Sequence, residues 1–253
     1  MGILDVRNCT KRFGGLIAVK ALDMCLNQGD LYGLIGPNGA GKTTVFNLIT
    51  GVYKTDEGSI ELDGRTIHRS KPSSIASLGI SRTFQNIRLF RSMTVLENVK
   101  VARHMRKKQG IVDAIVHTRH LKSEEDEIER DAMQLLKIFN LDARADELAF
   151  NLPYGSQRRL EIARALATAP KVLLLDEPAA GMNPQESLEL MRLIRSIRDE
   201  FHITILLVEH NMKVVMGVCE KIQVIDYGET IALGTPREIQ GNPKVIEAYL
   251  GGA

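Results

Sequence analysis

The sequence predicts an α/β protein built around a parallel β-sheet. Three short apolar runs, Leu31–Ile35, Val172–Leu175 and Ile203–Val208, are each bounded by turn or charged residues, which is typical of strands buried on both faces of such a sheet. Residues Gly58–Gly64 alternate apolar and polar side chains, which predicts a half-exposed strand. A helix is predicted over Lys42–Ile49, between the first two buried strands.

Composition excludes several classes of protein. The chain has 253 residues, of which 44% are hydrophobic and 25% charged, and this balance excludes disordered, collagen-like and disulfide-scaffold proteins. The formal net charge of +2 is too small to hold a nucleic acid by long-range attraction alone. The three cysteines are far apart and lack the paired spacing of a zinc site or a disulfide framework. We therefore expect a reducing, cytosolic environment.

Neither export nor membrane insertion is predicted. Residues Met1–Thr10 lack the basic start and long apolar run of a signal peptide. No stretch approaches the roughly 18 uninterrupted apolar residues of a membrane-spanning helix. Any association with a membrane is expected to be peripheral.

The middle of the chain is predicted to form an inserted helical subdomain. Within Val101–Asn140, one buried face has the spacing of a helix and consists of Ala132, Leu135, Leu136 and Phe139. A basic run over Arg103–Lys108 precedes an acidic run over Glu124–Glu129, and we interpret both as solvated helix faces rather than docking surfaces. His117 and His120 are interpreted as solvated histidines, because no further metal ligand lies nearby in the sequence.

A phosphate-binding loop is predicted at Gly36–Thr43, which reads GPNGAGKT. The loop follows a predicted strand and opens a helix, so its backbone N–H groups can converge on an anion. Its glycines allow close phosphate approach and positive φ. Lys42 offers a charge to the β- and γ-phosphates, and the hydroxyl of Thr43 is a candidate ligand for Mg²⁺. The sequence therefore predicts a nucleoside triphosphate site.

Two acidic residues and a histidine are predicted at the same edge of the sheet. Asp176 ends the second buried strand and is the expected metal partner, through water. Glu177 follows and is a candidate general base for the attacking water. His210 follows the third buried strand, where its imidazole can contact the γ-phosphate or orient that water.

Together with NLPYGSQRRLEIARAL at Asn151–Leu166, these elements resemble the ATP-binding subunit of ABC transporters over nearly the whole chain. The resemblance implies an ABC-type P-loop ATPase core with an N-terminal antiparallel β region. It implies a signature at Leu152–Ser156 and a D-loop at Ala180–Asn183, and it marks Gln85 and His210 as the Q-loop glutamine and switch histidine.

The resemblance also assigns roles to residues. The catalytic residues are expected to be Glu177, His210 and Gln85, and the Mg²⁺ ligands Thr43, Gln85 and Asp176. The residues expected to bind ATP are Phe13, which would stack on adenine, and Gly36, Pro37, Asn38, Gly39, Ala40, Gly41, Lys42, Thr43, Thr44, Tyr154, Gly155 and Ser156.

A closer resemblance is to the ATPase subunits of bacterial importers for branched-chain amino acids. It rests on RFGG at Arg12–Gly15, RTFQNIRLF at Arg82–Phe90, the insertion near Val101–Arg130 and NPKVIEAYLG at Asn242–Gly251. Lipopolysaccharide-export ATPases share the closing segment and are the alternative. The implied single ABC ATPase domain, 1–253, comprises a nucleotide-binding core (1–86 and 160–240), a helical subdomain (87–159) and a tail (241–253).

The resemblance implies an ATP-hydrolysing subunit at the cytoplasmic face of the inner membrane. Its expected partners are two permease subunits, a second ATPase subunit of the same or a related chain and, indirectly, a solute-binding protein, with no nucleic acid. A soluble ABC ATPase acting on nucleic acid would carry a long coiled coil or two cassettes, and a nucleoside kinase would not need the signature or Gln85.

Two motifs depart from the usual family pattern. In the signature, Pro153 stands in place of serine, Tyr154 in place of glycine and Ser156 in place of glutamine, so contact with phosphate is expected to rest on backbone N–H groups. Asn183 stands where many relatives carry an aspartate in the D-loop.

Overall fold

The computed structural model describes residues 2–104 and 119–250, with the side chains of residues 119–124 and 250 left aside. The chain divides into two compact units, Met1–Gln85 with Lys171–Ala253, and Asn86–Pro170. The predicted limits of the helical subdomain, 87–159, stay a prediction. Helix Tyr154–Ala167 runs through its predicted end.

The first unit contains two sheets and the helices that connect their strands. In chain order its elements are β1 (Leu4–Phe13), β2 (Leu16–Leu26), β3 (Leu31–Ile35), α1 (Lys42–Ile49), β4 (Glu57–Leu62), β5 (Arg65–Thr66), α2 (Pro72–Leu78) and β6 (Ile80–Arg82). After the second unit, whose helices are α3 (Val95–His104), α4 (Arg119–Ile138) and α5 (Tyr154–Ala167), follow β7 (Val172–Asp176), α6 (Pro184–Phe201), β8 (Thr204–Val208), α7 (Met212–Val218), β9 (Lys221–Asp226), β10 (Glu229–Gly234), α8 (Pro236–Gln240) and α9 (Pro243–Leu250).

The predicted antiparallel region is confirmed as a four-stranded sheet in the order β2-β1-β4-β5. The predicted strand at Gly58–Gly64 is observed as β4, which ends at Leu62. It stops there because Asp63 and Gly64 both have positive φ, at 51° and 71°, and turn the chain toward β5.

The predicted parallel sheet is confirmed, with six strands in the order β10-β9-β3-β8-β7-β6. The edge strand β10 pairs antiparallel to β9, and the sequence reasoning placed neither of them, nor β6. Strand β8 pairs in parallel with both β3 and β7, so Val208 lies opposite Leu34 on one side and Asp176 on the other. The loops that follow β3, β7 and β8 therefore emerge at one edge of the sheet.

Helix α1 is anchored by a hydrophobic core shared with both sheets. Phe46 and Ile49 of α1 are fully buried and belong to the same cluster as Leu4 of β1 and Leu174 of β7. Burial of each such side chain contributes about 1.5–3 kcal/mol. This packing holds the start of α1, where the phosphate loop ends, at the edge of the parallel sheet.

The second unit is helical, as predicted, although its first helix begins at Val95 rather than near Val101. A reciprocal cap explains this start, because Thr94 Oγ1 accepts from Glu97 N and Glu97 Oε2 accepts from Thr94 N. The predicted apolar face is confirmed as buried at Ala132, Leu135, Leu136 and Phe139. His117, residues 105–108 of the basic run and the side chains of His120 and Glu124 lie outside the described residues. The other acidic side chains of the acidic run, Glu125, Asp126, Glu127 and Glu129, are exposed, as predicted for a solvated helix face.

Candidate nucleotide-binding site

The phosphate loop has its predicted position between β3 and α1. Gly36, at φ 157°, leaves no room for a side chain, because an added Cβ would lie 2.0 Å from Ile225 O. Gly41, at φ 104°, caps α1, and a Cβ there would lie 2.4 Å from Ala18 O. Strands β2 and β9 thus press against the loop, and glycine is needed for both the close approach and the backbone conformation.

Helix α1 begins with none of the described side chains capping its first turn. Its first N–H groups and the positive end of its dipole therefore favour an anion at this point. Gly36 and Ala40 of the loop are buried, Pro37 is half-buried, and Asn38 and Gly39 are exposed.

Lys42 braces the loop from within. Its side chain is buried, and Nζ donates to Gly36 O at 2.7 Å and to Pro37 O at 2.8 Å. Burial lowers the pKa of Lys42, while the nearby carboxylates of Glu177 and Asp176 oppose that shift. The ammonium group therefore lies at the loop on which phosphate is predicted to bind.

A cleft of about 320 Å³ joins the loop to residues from three other segments of the first unit. Its lining consists of Asn38, Gly39, Ala40, Gly41, Lys42, Thr43, Thr44, Gln85, Glu177 and His210. A volume of this order lies at the lower end of the range of small-molecule sites. The structure thus brings together the loop and all three predicted catalytic residues.

Glu177 is the centre of that group. Gln85 Nε2 donates to Glu177 Oε2 at 2.9 Å, and His210 Nε2 contacts Glu177 Oε1. Both carboxylate oxygens are therefore engaged. Glu177 also has φ 48°, uncommon for a residue with a side chain, and its N–H donates to Val208 O at 2.8 Å. This bond to β8 holds the residue in a strained conformation that a free loop would not keep.

Asp176 has a partner that the sequence reasoning did not assign. Arg82 Nη2 donates to Asp176 Oδ2 at 2.7 Å, and both side chains are less than a tenth exposed. Arg82 was part of the RTFQ motif, but no chemistry was attached to it. A single sequence gives no sign that this arginine would meet a carboxylate 94 residues away.

Glu209 is a second residue that sequence reasoning missed. Its side chain is buried, with Oε1 accepting from Ala179 N at 2.7 Å and Oε2 from Asn211 N at 3.4 Å. Burial raises the pKa of Glu209, and these two N–H groups oppose the shift. The carboxylate joins the loop after β7 to the loop that carries His210, and the only signal in the sequence was its place between the end of β8 and His210.

The residues present suit Mg²⁺ in donor chemistry. The hydroxyl of Thr43, the amide of Gln85 and the carboxylate of Asp176 are all oxygen donors, as this ion prefers. Thr43 and Gln85 line the cleft beside the uncapped helix start. Within residues 2–104 and 119–250, no cluster of three or more His, Cys, Asp or Glu side chains offers an alternative metal site.

Phe13 lies at the end of β1 and is 41% exposed. Tyr53 meets it edge to face, with ring centroids 5.1 Å apart, and Lys11 Nζ lies 5.4 Å from its centroid. An exposed ring held by two neighbours suits stacking on a base, and its role with adenine stays a prediction.

The signature segment begins α5 in the second unit. Pro153 is the N-cap residue, and no side chain in the described part of the chain caps the helix, so the first-turn N–H groups of Tyr154, Gly155 and Ser156 are open to an anion. Tyr154 is 46% exposed, while Arg158 Nη2 donates to its hydroxyl at 3.2 Å. Arg158 also forms a buried ion pair with Glu161 at 2.8 Å.

Asn183 of the D-loop has a structural task. Its Oδ1 accepts from Glu186 N and its N–H donates to Glu186 Oε2, each at 2.9 Å, which forms a capping box at the start of α6. Asparagine and aspartate serve almost equally well as N-caps, so this departure from the family pattern keeps the start of the helix.

Comparison with known proteins identifies the family. Residues 19–180 match the family described as ABC transporter. The chain belongs to the ABC transporter family. Residues 229–253 of this cassette also match the family described as branched-chain amino acid ATP-binding cassette transporter.

Two curated relatives and one solved structure align with almost the whole cassette. It is 47% identical over 251 residues to the high-affinity branched-chain amino acid transport ATP-binding protein LivG of Salmonella typhimurium, covering 99% of this chain and 98% of the relative. It is 34% identical, over the same shares, to the lipopolysaccharide export system ATP-binding protein LptB of Haemophilus influenzae. The crystal structure of the ADP conformation of an ATP-binding cassette of an ABC transporter superposes with a TM-score of 0.86 at 32% identity, covering 99% of each chain.

The predicted family and fold class are therefore confirmed. Within the described part of the chain, none of the helices combines the length and the apolar composition that a membrane span requires.

Proposed function

We propose that this cassette is the ATP-hydrolysing subunit of an importer for branched-chain amino acids. The observation that carries the proposal is 47% identity to LivG along essentially the whole chain, including the carboxyl-terminal segment. The lower identity to LptB, 34%, makes lipopolysaccharide export the weaker alternative.

Binding of ATP is attributed to the phosphate loop. The open first turn of α1 and the ammonium of Lys42 would hold the β- and γ-phosphates, with Phe13 stacking on adenine. Mg²⁺, held by Thr43, Gln85 and, through water, Asp176, would supply positive charge to the phosphates in the transition state. Nucleotide binding and proton transfer would be carried out by residues of this chain.

Glu177 is proposed to accept a proton from the attacking water. Gln85 and His210 each take one lone-pair position of the carboxylate, and the attacking water would use another. His210 remains a suitable orienting group when the Gln85 contact opens. Release of Gln85 from Glu177 would widen the access of water to the carboxylate, and we propose it as the step at which a signal from a permease permits hydrolysis.

The complete ATP site is proposed to need two cassettes. The open N-terminus of α5 would offer Tyr154, Gly155 and Ser156 backbone N–H groups to the ATP held by the partner cassette. Closure of the pair would drive two permease subunits at the cytoplasmic face of the inner membrane, and the solute-binding protein would act indirectly.

Uptake measurements test the proposal. In the organism of origin, deletion of the gene should abolish high-affinity uptake of labelled leucine, isoleucine and valine, and leave uptake of an unrelated sugar intact. The wild-type gene should restore uptake, and a Glu177→Gln gene expressed at the same level should not. Normal amino acid uptake together with loss of lipopolysaccharide from the outer membrane would instead support the export alternative.

A further inference from the structure

Arg82, at the end of β6, has a guanidinium group enclosed beside Asp176. Nη2 donates to Asp176 Oδ2 at 2.7 Å and Nη1 donates to Asn47 Oδ1 at 2.6 Å. The guanidinium carbon lies 5.3 Å from the ring centroid of Phe46 and 5.2 Å from that of Phe84. Two directional hydrogen bonds and two rings therefore fix this cation in one position.

The pair is expensive to bury. The exposed fractions are only 9% for Arg82 and 7% for Asp176, so both charges have lost most of their hydration. Arg82 Nε is also buried with no hydrogen-bond partner among the described residues. The arginine is thus placed so that it donates to Asp176 and Asn47, although this position leaves its Nε without a hydrogen bond among the described residues.

The nearby lysine does not replace Arg82 in this role. Lys42 contributes charge near Asp176, but its ammonium donates to Gly36 O and Pro37 O. Asp176 N–H is held separately by Thr83 Oγ1 at 3.3 Å. Among the residues that the structure describes, Arg82 alone forms a hydrogen bond with the Asp176 carboxylate, and it uses only Oδ2.

We propose that Arg82 is the resident countercharge of Asp176, a positioning residue that holds Oδ2 and leaves Oδ1 to the Mg²⁺ of bound ATP or to its water. This inference rests on the proposed function, since it assumes that Asp176 faces Mg²⁺ when ATP is bound. It goes further in assigning two cations to one carboxylate. When no metal is bound, Arg82 stabilises the cassette by pairing with the Asp176 carboxylate. When Mg²⁺ binds, Arg82 repels it, because like charges repel, and the affinity for the metal is lower. Such a balance favours release of the metal and nucleotide after each turnover.

The linkage between metal and nucleotide measures this repulsion directly. The ATP dissociation constant is measured in EDTA and in saturating Mg²⁺, and the ratio of the two reports how strongly the protein couples them. A Glu177→Gln background prevents consumption of ATP. Arg82→Met removes the charge and keeps an apolar stem between Phe46 and Phe84, whereas Arg82→Lys keeps the charge. Arg198→Met is the matched control, because Arg198 pairs with the exposed Glu220.

Arg82→Met should raise the EDTA-to-Mg²⁺ ratio about tenfold, because a cation that repels the metal is gone. Arg82→Lys and Arg198→Met should stay within threefold of the background. An unchanged or smaller ratio in Arg82→Met overturns the countercharge role. If the Glu177→Gln background has the same ATP dissociation constant in EDTA and in Mg²⁺, that result would instead contradict the proposed function.

A second comparison needs no metal and covers the case in which Arg82→Met folds poorly. Asp176→Asn, added to Arg82→Met, removes the uncompensated charge, so the double variant should recover at least half of the lost urea midpoint, or fold where the single variant does not. A double variant as unstable as Arg82→Met, or less stable, would show that the arginine acts through packing and would refute the inference.

Discussion

Replacing Glu177 by glutamine separates ATP binding from hydrolysis. The substitution keeps the size of the side chain and removes its basicity. Loss of a general base typically lowers the rate by about 10²- to 10⁴-fold, which corresponds to roughly 2.7–5.4 kcal/mol in the activation free energy. ATP affinity should change less than threefold, because Lys42 and the loop, not Glu177, are expected to hold the phosphates.

The structure also sets the effect on stability. Glu177 accepts from Gln85 at Oε2 and contacts His210 at Oε1, whereas an amide offers one accepting oxygen. At most one contact is therefore lost, at a cost of up to about 0.5–1.5 kcal/mol. For a chain of this size that lowers the unfolding temperature by about 2–4 °C per kcal/mol.

Three measurements decide the matter: phosphate release at saturating ATP, ATP affinity by calorimetry, and thermal unfolding. Glu200→Gln is a suitable control, since this exposed glutamate on α6 undergoes the same chemical change away from the cleft. If Glu177→Gln hydrolyses ATP at the wild-type rate, the base lies elsewhere. If it loses ATP affinity together with turnover, Glu177 contributes to binding as well, and the phosphates are not held by Lys42 and the loop alone.

Three further outcomes are expected. Lys42→Ala should weaken ATP binding at least tenfold, because it removes a phosphate contact present in the ground state and the hydrogen bonds of Lys42 to the loop. Equal dissociation constants for the variant and wild type, measured by calorimetry, would refute this. Glu209→Gln should gain stability relative to wild type as the pH is raised from 4.5, the ordinary pKa of this carboxyl, because the folded wild type must then ionise a buried carboxyl whose pKa is raised. Urea unfolding at pH 5 and pH 8 tests the sign of this change, and an equal stability difference at both pH values contradicts it. A maleimide should label one cysteine per folded chain, the exposed Cys25. Cys9 and Cys219 should not react, because both are buried and burial raises the pKa of Cys9 to about 11 and that of Cys219 to about 12. Rapid labelling of either buried thiol, detected by mass spectrometry, would count against the core packing.

The sequence by itself determined the local parts of this protein. The phosphate loop, β3 and α1 were predictable because their signals are local. The short apolar run that predicts β3, the glycine spacing that predicts the loop and the start of helix α1 all lie within Leu31–Ile49. The ends of β7 and β8 were predictable for the same reason, since four consecutive apolar residues followed at once by an acidic residue are typical of a buried strand that reaches the edge of a sheet. Asp176, Glu177 and His210 could thus be singled out without coordinates.

Strand β9 was missed for a reason that lies in its partners. Gln223 interrupts its apolar pattern, yet it is buried because its Oε1 accepts from the Tyr32 hydroxyl at 2.8 Å and its Nε2 donates to Thr230 Oγ1 at 2.7 Å. A buried amide is tolerable only when such bonds exist, and they come from β3 and β10. No window along the sequence contains that information.

Only the tertiary structure decided which predicted residues meet. Gln85 reaches Glu177 across 92 positions, and Arg82 reaches Asp176 across 94, because the sheet places β6 beside β7 and β7 beside β8. Strand order depends on how crossovers pack, which the local pattern of one chain does not encode. The sequence therefore determined which groups are available for chemistry, and the order of the strands determined that Glu177 has both oxygens engaged and that Asp176 shares its charge with Arg82.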